Sequence, residues 1–176
     1  MELYLIEDHN EIYPELKGAE LTEALVKDLL RDNNWITDEQ IRIERLPQGK
    51  PVLPQNPQVH FSVSHTGNLF GCVISDAPVG LDIQMVTGAN ARRLAGRYFT
   101  EAEIEWINGG CDTTADDLFA DRFFRLWCRK EAYAKLTGEG LAVVVRGEPV
   151  VDRPDLEFTD LVLGDGIYGC VCCERT

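Results

Sequence analysis

Between Gly110 and Gly138 the chain carries neither proline nor glycine, and this stretch constrains everything else. Its apolar period predicts a helix from about residue 115 to 137, with Asp112-Thr113-Thr114 supplying N-caps and Gly138 and Gly140 the stop. Helical neighbours lie three and four residues apart, so Trp127, Glu131 and Lys135 share one face. Phe123, Phe124, Leu126, Ala134 and Leu136 offer apolar neighbours that bury it, and Trp127 is expected to anchor the helix in the core. A carboxylate and an ammonium therefore sit one turn apart beside an indole. On this stretch alone the ordinary reading is a surface i,i+4 ion pair. Charges in a packed setting need a partner or a metal, so a second acidic element elsewhere decides the matter.

Val79-Gly80-Leu81-Asp82-Ile83-Gln84 is such an element. It reads as a strand, in which successive side chains point to opposite faces. Val79, Leu81 and Ile83 mark the core face; Gly80, Asp82 and Gln84 share the other. Aspartate is depleted in strands. A solvated face is the ordinary explanation, yet two oxygen-bearing side chains with one direction are also what a hard cation requires. Gly80, on the same side, leaves room for something to approach closely.

Upstream, residues 2–6 read as a first strand and 19–33 as a helix on the period of Leu21, Ala24, Leu25, Leu29 and Leu30. Thr37-x-x-Gln40 has the form of a capping box. Residues 41–46 alternate as a strand, broken by Pro47-Gln48-Gly49-Lys50-Pro51. Residues 59–65 and 69–75 form a hairpin with Ser64 and His65 at its tip. Lys50 on restricted backbone, and Ser64-His65 beside Gly67, each suit an anion, although a solvated side chain is the commoner fate of both. Asp76-Ala77-Pro78 marks a boundary between residues 1–76 and 77–176. Helices are expected over about 89–99 and from the capping box Thr100-Glu101-Ala102-Glu103 to Gly109-Gly110. Strands over 141–145, 156–163 and 167–173 follow, the last two joined by a tight turn at Gly164-Asp165-Gly166.

Composition narrows the partners. The 176 residues suffice for one ordinary domain or two small lobes sharing a core. With 30 acidic against 17 basic residues the net charge is −13, which repels nucleic acid and leaves any anionic ligand to a local basic cluster. Arg92, Arg93, Arg97, Arg122, Arg125, Arg129, Lys130 and Lys135 supply one, unless they merely balance the acids among them. No apolar run is long enough for a membrane span, and the first residues lack the basic region of a signal peptide, so a cytoplasmic location is expected. The six cysteines are expected neither as disulfides nor as a zinc site; Cys170, Cys172 and Cys173 read as small residues of a closing strand.

Asp82, Gln84 and Glu131 together would make a Mg²⁺ site of few protein ligands, leaving positions for phosphate oxygens that Lys135 would also reach. With these residues in view, the chain resembles the 4′-phosphopantetheinyl transferase family, in its two-lobed, monomeric, surfactin-synthetase-activating type. The motifs are Gly49-Lys50-Pro51, Phe61-Ser62-Val63-Ser64-His65-Thr66-Gly67, Val79-Gly80-Leu81-Asp82-Ile83 and Trp127-Cys128-Arg129-Lys130-Glu131-Ala132-Tyr133-Ala134-Lys135. Each is short; all four in order are specific, and Arg97-Tyr98-Phe99-Thr100-Glu101-Ala102-Glu103 fits the segment the family carries before the last. The likeness extends from about Leu25 to Cys173.

The resemblance implies an α+β fold of two similar, pseudo-twofold-related lobes, each a small, mostly antiparallel sheet packed on a helix, with the active site in the cleft between them. It implies transfer of the phosphopantetheine arm of coenzyme A to a serine of an apo acyl- or peptidyl-carrier protein, releasing adenosine 3′,5′-bisphosphate. By the family pattern Asp82 and Glu131, with Gln84, hold Mg²⁺. Glu131, or a water on the metal, is the base, and Lys135 contacts the phosphates and assists the leaving group. Lys50, Pro51, Ser64, His65 and Lys135 hold coenzyme A. Glu103 matches an acidic family position near the metal, although its capping-box place gives a rival structural reason. Position 84 is Gln where many members carry Glu, and the first thirty residues offer only Lys17 and Lys27 where larger members place basic residues for the 3′-phosphate. The expected partners are coenzyme A and a carrier of fatty-acid, polyketide or nonribosomal peptide synthesis, met by a monomer that binds neither nucleic acid nor membrane. The alternatives are a Mg²⁺-dependent nucleotide pyrophosphate hydrolase that uses Asp82, Glu131 and Lys135, and a non-catalytic carrier-binding module, suggested by Gln84 and the short N-terminal region.

Overall fold

The computed structural model describes residues 1–37, 41–86, 91–109, 116–140, 147, 149–164 and 166–175. In chain order these form β1 (Glu2–Ile6), a 3-10 turn (His9–Glu11), α1 (Ala19–Asp32), β2 (Glu44–Arg45), β3 (Pro51–Val52), β4 (His60–Thr66), β5 (Leu69–Ser75), β6 (Val79–Met85), α2 (Ala91–Tyr98), α3 (Glu101–Asn108), α4 (Asp116–Thr137), β7 (Leu156–Val162) and β8 (Ile167–Glu174). The fold is α+β with small antiparallel sheets, one ordered β1-β5-β4 and another β6-β8-β7.

Side-chain alternation explains the layering. Leu21, Leu25, Val26 and Leu30 form one stripe of α1 and are buried against Phe61 of β4 and Phe70, Cys72 and Ile74 of β5. The other face of β5 presents Leu69 and Val73, which pack with Val79, Leu81 and Ile83 of β6 and Val171 of β8. β5 is therefore buried along its whole length. Beyond the second sheet lies α4, whose Cys128, Ala132 and Leu136 repeat every four residues and meet Cys170, Cys172 and Leu156. α2 and α3 close over the earlier turns of α4 through Ala95, Phe99, Ile107, Phe119, Phe123 and Phe124. Trp127 is half-buried in this cluster, its indole stacked on Phe123 at 5.8 Å. The described cysteines are free, and Cys128 on α4, with Cys170 and Cys172 on β8, serve along this seam as small apolar residues.

The two larger sheets meet along β4 and β6 in an unusual way. Ser62, Ser64 and Thr66 project their hydroxyls from one face of β4. Each accepts a backbone N–H of β6, from Leu81 at 3.0 Å, Ile83 at 3.0 Å and Met85 at 3.1 Å. The donors advance in step with the acceptors, so the strands run parallel. β6 has β8 on one side only, and these amides would otherwise be orphaned on its free edge.

Local differences from the sequence expectations have physical causes. The strand expected over 41–46 shrinks to Glu44–Arg45, paired with Pro51–Val52. Prolines at 51 and 54 remove the N–H donors that a longer ladder needs. The strand expected over 141–145, the N-caps at 112–114, the start of the helix at 89–90, the box partner Gln40 and Asp165 of the last turn lie outside the described residues. Among the described residues no helix is long and apolar enough to cross a membrane.

Candidate functional site

Gly80 makes the site possible. A Cβ built there would lie 2.0 Å from the Ala132 carbonyl oxygen and 2.6 Å from the Leu136 nitrogen, so α4 rests directly on the β6 backbone. The room beside Asp82, which the strand pattern left open to any close neighbour, is filled by the helix itself. This contact brings Glu131 and Lys135 over Asp82.

Asp82 is 6% exposed. Its Oδ1 accepts from Lys135 Nζ at 2.9 Å and from Ser64 Oγ at 3.1 Å. Its Oδ2 is buried and has no hydrogen-bond partner. The buried thiol of Cys128 is its neighbour, pushed well above the ordinary thiol range first by burial and then by the Asp82 charge. A thiol is a weak donor and leaves that oxygen's capacity unspent. Glu131 is half-buried, and its carboxyl is held above the ordinary glutamate range, chiefly by burial and next by Asp82, with Lys135 opposing. Two carboxylates crowded in this way, one with an orphaned oxygen, suit a divalent cation that retains water and substrate oxygens. Among the described residues no group of three or more His, Cys, Asp or Glu is arranged to hold a metal; the carboxylates that meet here are two, Asp82 and Glu131. Gln84 is half-buried at the rim, and its Nε2 donates to the Met85 carbonyl at 3.0 Å.

Lys135 also lines a cavity of about 260 Å³, together with Lys50, Pro51, Phe61, Ser62 and Gly138, among others; Asp82, Gln84 and Glu131 lie outside that lining. Lys50 crosses from β3's side to donate from Nζ to the Leu136 carbonyl at 2.6 Å, near the end of α4. There it meets the negative pole of the helix. Burial lowers its proton affinity. Three of the sequence-chosen residues, Lys50, Pro51 and Lys135, therefore line one cavity. Ser64 and His65 lie outside that lining. Ser64 is buried between Asp82 and the Ile83 amide, whereas His65 is exposed at the hairpin tip.

Glu103 stands in a closed environment. It is fully buried, as is Lys130, whose Nζ reaches both carboxylate oxygens at 2.9 and 2.7 Å. The Thr100 amide donates at 2.8 Å, the Thr100 hydroxyl at 3.1 Å and the Val150 amide at 3.0 Å. The capping box is formed, and no oxygen is left over.

The sequence puts Lys130 in a basic cluster for an anionic ligand; the structure spends it on Glu103 instead, and its phase on the helix gives this away. It follows Phe123 and Trp127 at helical spacing, so a lysine falls on the aromatic stripe and has to be buried. The arginine ridge of α4 is also spent locally. Arg122 donates to the Ile107 carbonyl, Arg125 pairs with Asp121, and Arg129 grips Asp160 with two hydrogen bonds.

The sequence that builds these features is similar to those of known proteins. The family model of the 4′-phosphopantetheinyl transferase superfamily matches residues 78–174. The chain is 35% identical over 122 residues to the 4′-phosphopantetheinyl transferase psf-1 of Bacillus pumilus, covering 69% of this chain and 50% of that protein. It is 30% identical over 125 residues to the 4′-phosphopantetheinyl transferase Sfp of Bacillus subtilis, covering 70% and 53%. With the 4′-phosphopantetheinyl transferase gsp of Aneurinibacillus migulanus the identity is 30% over 125 residues, covering 71% and 50%. The chain belongs to the 4′-phosphopantetheinyl transferase superfamily. It spans about half the length of the curated relatives it matches.

Proposed function

We propose that this chain transfers the 4′-phosphopantetheine arm of coenzyme A to a serine of an apo acyl- or peptidyl-carrier protein. The observation that carries the reading is the buried, unpartnered Oδ2 of Asp82 beside Glu131, whose carboxyl is raised, with Lys135 joining them to the lining of a cavity. An aspartate oxygen left without a donor in a protein interior is costly unless something else binds it in the working state.

On this reading Asp82 and Glu131, with Gln84 beside them, hold Mg²⁺. Bound there, the ion would neutralise charge on the pyrophosphate of coenzyme A. Lys50, Pro51 and Lys135 line the coenzyme's cavity; Ser64 and His65 contribute from the hairpin, Ser64 chiefly by orienting Asp82. The carrier's serine oxygen attacks the phosphorus that bears the pantetheine arm, and the bond from that phosphorus to the adenosine bisphosphate oxygen breaks. Glu131 takes the serine proton. Lys135 offsets the charge that gathers on the leaving phosphate. Glu103 is assigned a scaffolding part, because its oxygens are already satisfied.

We read the two three-stranded sheets, with α1 and α4, as pseudo-twofold lobes dividing near residue 76 and clasping the site. A monomer working in the cytoplasm, indifferent to nucleic acid, suits the net charge of −13. The test is incubation with apo carrier protein, coenzyme A and Mg²⁺, followed by intact mass. A carrier mass gain of one phosphopantetheine supports the reading. Cleavage of coenzyme A without carrier points to a hydrolase, and carrier binding without reaction to a docking module.

A further inference from the structure

We infer that His9 is a positioning residue for His65: the N-terminal 3-10 turn clamps the β4–β5 hairpin tip and holds the His65 imidazole ready for a phosphate of coenzyme A. The inference rests on the proposed reading of His65 as a coenzyme contact.

His9 is 5% exposed, in a short 3-10 turn where most side chains are open to water. Its Nδ1 donates to the Asn68 carbonyl at 2.7 Å, and its backbone amide reaches the same oxygen at 3.4 Å. Asp8, in the left-handed region at φ 49°, accepts from the Asn68 side-chain amide at 2.6 Å. Residues 8 and 9 thus grip one residue of the two-residue loop, Gly67-Asn68, between the paired Thr66 and Leu69. The next pair along the hairpin is His65 with Phe70. The His9 ring lies against both members, 6.3 Å from His65 edge-on at 63° and 5.9 Å from Phe70. An exposed imidazole on a hairpin tip ordinarily samples several rotamers. One restrained on a side by a buried ring, on a loop tied at its apex, loses less freedom when a ligand arrives. The first thirty residues, poor in lysine, would then support anion binding by architecture and not by charge.

The test is a double-mutant cycle read by calorimetric titration of coenzyme A in Mg²⁺. His9→Phe keeps the ring and removes the Asn68 hydrogen bond; it should weaken coenzyme binding about five-fold, the scale of one lost hydrogen bond, while kcat at saturating coenzyme is unchanged. His9→Asn, which keeps a donor near the Nδ1 position, should restore most of that loss. In a His65→Ala background His9→Phe should have no further effect. Full additivity in the double variant, or unaltered binding in His9→Phe, overturns the inference while leaving His65 as a contact. Unaltered binding in His65→Ala overturns that contact and the inference with it. If His9→Phe does not fold, imidazole ¹⁵N spectra of the unaltered protein decide, with adenosine 3′,5′-bisphosphate as the probe. Both rings should respond with one dissociation constant; a response of His65 alone overturns the inference.

Discussion

Lys130 and Lys135 stand on the same helix and each meets one carboxylate, at 2.7 and 2.9 Å. The likeness ends there. The Lys130–Glu103 pair is fully buried, and every oxygen is answered by Lys130, Thr100 or Val150. The Lys135–Asp82 pair leaves a third of the lysine side chain exposed and one carboxylate oxygen with nothing to bind. A closed pair fixes where α3 and α4 sit. An unfinished pair has capacity left for a ligand. Distance alone does not separate scaffold from site; the count of satisfied lone pairs does.

The sharpest way to break this contrast is to remove each lysine. Lys130→Met strands a buried Glu103 charge and should cost about 3–5 kcal/mol of unfolding free energy in urea titrations. Lys135→Met leaves Asp82 its Ser64 hydrogen bond and a lysine side already a third open to water, so it should cost less, about 1–2 kcal/mol, yet lower transfer about 100-fold or more. Equal destabilisation by the two would erase the distinction. Next in size is Gly80→Ala. A methyl group pressed into the Ala132 carbonyl should cost about 1–3 kcal/mol and cut transfer, because α4 must lift and carry Glu131 and Lys135 away from Asp82.

Acidity sharpens the same comparison. The Glu131 carboxyl is raised in the folded state, so the fold favours its protonated form. Its contribution to stability is present below the unfolded pKa and is lost as pH rises through the folded one. Cation binding asks for the opposite, ionised form. Mg²⁺ affinity should therefore weaken as pH falls through that raised value, and Glu131→Gln should remove both trends together with transfer. Thermal melts across pH, with and without Mg²⁺, read both. The smallest effect is expected from Gln84→Glu, which adds charge at the rim. Activity should persist and half-saturating Mg²⁺ should fall a few-fold. Loss of activity would take position 84 off the metal side.

Much of this was legible in the sequence. Period-two alternation places Asp82 on the face opposite Val79, Leu81 and Ile83, and period-3.6 spacing sets Glu131 one turn before Lys135. What alternation does not say is who occupies the other side. Gly80 reads as space, and only the packed structure shows a helix filling it. Ser64 reads as a ligand contact at a turn, yet it faces inward to Asp82, because its partner comes from a strand eighteen residues further on. Glu103 and Lys130 are far apart in the chain, and no local rule pairs them. His9 has no periodic context at all. Local periods give directions; tertiary packing gives partners.

The hydroxyls of Ser62, Ser64 and Thr66 along β6 have a consequence for how such a molecule varies through descent. In an ordinary ladder the acceptors are carbonyls that every residue supplies, so no substitution deletes one. Here three codons encode them. Each exchange for alanine removes one hydrogen-bonded rung between the sheets. The join between the halves of the molecule is therefore a heritable stiffness, adjustable in three steps, and the middle step is the one that also sets the aim of Asp82.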